Sequence, residues 1–158
     1  MRKRGHRKPQ YVFNDPLSIF KRVAVKKRNT MMLRYLSALE SIATGSNPTV
    51  EELKDLSDVM NICETLAVSM GRMDRKEVCP IISNAASAIA DASERYREGK
   101  TIRMDGHGLE AMRTLIDIYR QCIERLSEME MTMATEITNR RLEKYRKRQR
   151  LGVTVIQL

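Results

Sequence analysis

Two histidines, three cysteines and no long apolar run are the first features of this 158-residue chain, and each shortage removes a class of function. His6 lies in a basic stretch and His107 in a glycine-flanked turn, so there is no paired-histidine motif for a metal or for acid–base work. No glycine-rich phosphate loop, nucleophile motif or Cys-x-x-Cys occurs. Cys63, Cys79 and Cys122 are too few and too far apart for zinc, and an odd count argues against a disulfide framework. Each sits among apolar neighbours, where a thiol behaves as a small hydrophobe, so all three are expected to be free thiols in the core. Met1-Arg2-Lys3-Arg4 looks like the basic start of a secretory signal, but no apolar segment follows it. No stretch approaches the ~18 apolar residues of a membrane span. A soluble, cytoplasmic, non-enzymatic binding protein without a cofactor is the expectation.

The net charge of +9 conceals an uneven layout. Up to Asn29 there are ten Lys or Arg against one acid, Asp15, and from Asn139 onward seven against Glu143. The span Thr30 to Thr138 carries twelve basic and eighteen acidic residues. An acidic body with two basic ends suits a polyanionic partner, DNA or RNA or a nucleoprotein, bound in a salt-dependent way. The competing reading is that the ends lie on the protein's own acidic surface. Candidate phosphate-binding residues are Arg2, Lys3, Arg4, Arg7 and Lys8 in the N-terminal arm, and Lys21, Arg22, Lys26, Lys27 and Arg28 after it. Arg140, Arg141, Lys144, Lys147 and Arg148 complete the set at the other end. These last five lie beyond the apolar stripe, so replacing them is expected to leave the fold intact.

Helical spacing dominates the middle of the chain. Asp15 and Pro16 read as a helix entry, with Leu17, Phe20 and Val23 or Ala24 on one face and the cluster from Lys21 to Arg28 on the other. Asn29 or Thr30 is expected to restart the helix, with Met32, Leu33, Leu36, Leu39, Ile42 and Ala43 inward and Gly45 as the stop. Thr49-Val50-Glu51-Glu52 is a capping box, and Leu53 to Met70 carries its helix to Gly71. Asp74-Arg75-Lys76-Glu77 repeats the spacing; Pro80 then requires either a kink or a later start near Cys79. Val78, Ile81, Ile82, Ala85, Ala86, Ile89, Ala92 and Tyr96 face inward, Gly99 ends the element, and Lys100 to Met104 is a short extended connector.

The longest periodic run extends from Leu109 to about Arg148. Met112, Leu115, Tyr119, Cys122, Leu126, Met129 and Met133 recur at spacings of three and four, with Leu109, Ile116, Ile123 and Ile137 beside them. One helix of roughly 60 Å is expected, starting in a core and ending as a basic arm, and it offers a surface for homo-oligomers. Glu124, Glu128, Glu130 and Glu136, lacking a Glu-x-x-His partner, read as its solvated face. The fold class is all-α: an up-down bundle of about four helices over residues 14–140, with a basic arm at 1–13 and a basic extension and apolar tail at 141–158.

Arg7-Lys8-Pro9, Asn14-Asp15-Pro16, the central capped helix and Gly99-Lys100-Thr101-Ile102-Arg103-Met104 before Leu109-Glu110-Ala111-Met112 together resemble small helical proteins encoded in phages and prophages of proteobacteria. The resemblance implies a bacterial host cell and a protein that binds host machinery, including defence complexes such as CRISPR effectors. It implies no active-site residues. Two functions follow: nucleic-acid binding by the basic ends, or an inhibitor or adaptor docked on a host protein.

Overall fold

A computed structural model describes residues 21–150, all helical apart from short connections and one isolated bridge. The helices are α1 (Val25–Thr44), α2 (Val50–Glu64), α3 (Arg75–Arg97), α4 (Gly106–Ile123) and α5 (Glu128–Arg150), with a π-helical turn at Thr65–Ser69 continuing α2. Helices α1 to α4 form a ring in which each touches the next and α4 returns to α1, while α5 packs on α2 and its π turn. Short connections make sequence neighbours antiparallel.

Local chemistry sets most boundaries. Thr49 and Glu52 build the expected capping box: the Thr49 N–H donates to Glu52 Oε2 at 2.6 Å and the Glu52 N–H to Thr49 Oγ1 at 3.4 Å. Gly45 takes the left-handed conformation that ends α1, φ 68°, and returns its N–H to the Ser41 carbonyl at 3.1 Å. Asp74 caps α3 by accepting from the Lys76 N–H at 2.8 Å. That helix starts at Arg75 and runs through Pro80, which lies exposed on its outer side. The expected connector is present, with Ile102 buried and Thr101 and Arg103 outward. Asp105 then caps α4 through the Gly108 N–H at 2.6 Å, and Gly108 rests directly on Ala88 of α3.

The core lies between the four ring helices. Leu56, Val59, Cys63 and Leu66 meet Met112, Leu115, Ile116 and Tyr119, with Tyr35, Leu39 and Ile42 from α1 and Ile82, Ala85 and Ile89 from α3. Tyr35 and Tyr119 pack edge to face, 5.9 Å between centroids. Burial pushes the Tyr35 hydroxyl up to about 12 and raises those of Tyr119 and the Cys63 thiol as well. The three cysteines are free, Cys63 buried and the other two half-buried.

Four expectations are corrected. The single helix from Leu109 is two, because the chain leaves helical geometry at Glu124–Ser127 and restarts as α5. The restart shifts the buried face: Met131, Ala134 and Thr138 are inside, while Met129, Met133 and Ile137 are only half-buried. Helix α1 does not restart at Asn29 or Thr30, since the Thr30 hydroxyl bonds back to the Lys26 carbonyl at 2.9 Å as a mid-helix residue. The helix expected up to Arg28 is absent at Lys21–Ala24, which is extended; its earlier part lies outside the described residues. Finally, Leu33, Leu36 and Tyr96 point outward rather than into the core.

Candidate nucleic-acid interface

The residues that root the basic ends meet at one pole of the ring, where α4 ends, α1 begins and α2 passes into α3. The junction is made by a second capping box at the start of α5. Ser127 Oγ accepts from the Glu130 N–H at 3.2 Å, and Glu130 Oε2 accepts from the Ser127 N–H at 2.9 Å. Glu130 also pairs with Arg72 from the α2–α3 connection. Burial acts against ionisation, but the Ser127 bonds together with Arg72 and Arg22 outweigh it and hold the Glu130 carboxyl below its ordinary range. Glu130 is thus a structural carboxylate and not part of a solvated face.

The same box presents backbone groups to the N-terminal segment. The Glu128 N–H donates to the Lys21 carbonyl at 2.8 Å and the Val23 N–H to the Leu126 carbonyl at 3.3 Å, an antiparallel bridge centred on Arg22 and Ser127. Val23 is buried beneath it. Lys21 lies 3.9 Å from Glu128; Arg22, Lys26 and Lys27 are exposed, and Arg28 is half-buried in the first turn of α1.

The first half of α5 is pinned to α2. Thr138 and Thr65, both buried, bring their hydroxyls to 2.7 Å, and each also bonds the carbonyl four residues earlier, Ala134 at 2.8 Å and Asn61 at 3.1 Å. Two hydroxyl protons serve three contacts, so one contact lacks a proton at any moment. One turn on, Arg141 Nη2 donates to the Asn61 carbonyl at 3.0 Å and pairs with Glu64 at 2.9 Å. At 19% side-chain exposure it is a latch onto α2, which its place in a basic run did not suggest.

From Leu142 to Gln149 the helix is exposed apart from Leu142 and Tyr145, which are half-buried. Arg140 pairs with Glu136 at 3.5 Å and Lys147 with Glu143 at 2.9 Å, both along the helix with the acid four residues earlier. The Glu143 carboxyl is lowered by its hydrogen bond from Lys147. Lys144 and Arg148 make no ion pair among the described residues. Arg140, Lys144 and Lys147 follow one another at spacings of four and three, so they line one face. Arg2, Lys3, Arg4, Arg7 and Lys8, with the rest of the arm at 1–13, lie outside the described residues, as does the tail from 151 on.

Arg75, Lys76 and Arg125, counted within the acidic middle by sequence position, stand at the same pole because α3 starts and α4 ends there. Spatial placement was the missing information. Among the described residues no three His, Cys, Asp or Glu side chains are grouped to hold a metal, and no helix is long and apolar enough to cross a membrane. The fold is an all-helical bundle. No family model, curated protein or solved structure matches this chain.

Proposed function

We propose that the protein binds nucleic acid, alone or within a nucleoprotein, through basic tracts rooted at one pole of the helical bundle. The observation that carries this reading is the bridge between Lys21–Val23 and Leu126–Glu128, which ties the root of the N-terminal basic tract to the first residues of the helix that carries the other. Lys26 and Lys27 stand on α1 at that pole, and Lys144 and Arg148 stand on α5 about 24–30 Å along the helix from it, all exposed. Contacts of this kind go to phosphates and fix position; they carry no sequence information by themselves. The bundle serves as the scaffold, and partner affinity falls steeply with salt.

The test is affinity for short single- and double-stranded DNA and RNA at several salt concentrations, alongside capture of partners from bacterial lysate with and without nuclease. Loss of partners after nuclease, with log K falling linearly in log salt, supports the proposal. Partners retained after nuclease, with weak salt-independent binding to all four polymers, would favour the adaptor or inhibitor reading, in which a host protein is the target.

A further inference from the structure

We infer that two copies of this chain pair through the outer face of α1, antiparallel, about a two-fold axis at Leu33. Leu33 and Leu36 are 69% and 48% exposed and lie close together on one helix. They border a groove between α1 and α4 that has Leu39 at its floor and Glu40, Arg113 and Asp117 on its rim. Helix α5 packs on α2 and leaves this face uncovered among the described residues.

The charge pattern along α1 selects the occupant. Lys26, Leu33 and Glu40 are seven residues apart, and seven residues return a helix to within about 20° of its starting direction, so the three form one line. Lys26 and Glu40 stand equally far from Leu33, about 10 Å on either side. Both are exposed, and neither has an ion-pair partner among the described residues. Turning a second copy through a half-rotation about Leu33 sets Lys26 against Glu40 of that copy, twice. It also sets Thr30 against Ser37 on one flank and Asn29 against Leu36 on the other, each twice. A parallel pair would oppose Lys26 with Lys26 and Glu40 with Glu40, so the charges admit one direction only. The face is self-complementary, as an isologous dimer requires.

Sedimentation velocity on the full chain, from about 1 to about 100 µM, provides the test. Wild type is expected to shift from monomer to dimer over this range. Leu33→Glu should abolish dimer while leaving the helical spectrum unchanged, because the side chain is on the surface. Lys26→Glu and Glu40→Lys should each raise the dissociation constant about tenfold, and the double variant should restore it. Leu33→Cys should cross-link to a covalent dimer on mild oxidation, beyond the background from the native thiols. Wild type monomeric throughout, a dimer indifferent to Leu33→Glu, or a double reversal no better than either single change would each overturn the proposal.

Discussion

Arg141→Gln separates the parts of the C-terminal basic run that hold the fold from those left for a partner. The guanidinium makes an ion pair to Glu64 and a bond to the Asn61 carbonyl, and glutamine is too short and uncharged to keep either. A hydrogen bond involving a charged group contributes roughly 1.5–3 kcal/mol net. Two effects reduce this: Glu64 is 39% exposed and so partly screened, and the Asn61 carbonyl keeps the Thr65 hydroxyl as a donor. A loss of about 1–2 kcal/mol remains, or about 3–8 °C in Tm for a chain of this size. Lys147→Gln, further along the helix, removes an exposed pair to Glu143 and should leave the Tm nearly unchanged. Arg141→Lys should fall between, since an ammonium reaches one partner at a time. Thermal melts of the three variants, with hydrogen exchange of α5, make the comparison. Equal Tm values for the Arg141→Gln and Lys147→Gln variants would refute the latch.

Three further outcomes follow from local geometry. Gly108→Ala should destabilise by about 1–3 kcal/mol because the new methyl meets Ala88, whereas Gly106→Ala, with open space around it, should be neutral or slightly stabilising; paired denaturant melts decide. Glu130 is held below its ordinary range, so its contribution is present above the unfolded carboxylate value and is lost as pH falls through the folded one. The stability gap between wild type and Glu130→Gln should therefore shrink on acidification below about pH 4, and a gap that widens there would contradict the sign. Thr65→Val or Thr138→Val alone should cost about 1–2 kcal/mol, and the double change less than the sum, which a double-mutant cycle measures.

Residues with short-range consequences were legible in the sequence. Gly45, Thr49 with Glu52, Gly71 and Asp74 act within one turn of where they sit, and all mark boundaries in the structure. The break before α5 was hidden because Cys122, Leu126 and Met129 keep helical spacing across it. Its signal was present as Ser127-x-x-Glu130, the same pattern as Thr49-x-x-Glu52, but it lay inside an apparently unbroken stripe. The bridge of Arg22 to Ser127 joins residues too distant in sequence for any local pattern to reveal. Leu33 and Leu36 fit a helical stripe as well as Met32 and Leu39 do, and only the placement of α4 and α2 decides which are covered. Arg141 looks like its basic neighbours until Asn61 and Glu64 are brought beside it.

The central claim, that the basic tracts serve a polyanion and not the bundle itself, rests most directly on residues that make no ion pair among the bundle's described residues. In Lys27→Gln/Lys144→Gln/Arg148→Gln, the melting temperature and the affinity for DNA and RNA should be measured at two salt concentrations. The account predicts an unchanged melting temperature at both, weaker binding, and a slope of log K against log salt shallower by about 0.7 to 0.9 for each phosphate that the variant no longer neutralises. Unchanged binding together with a lower melting temperature at low salt would contradict it, because the three cations would then be serving the protein's own acidic surface.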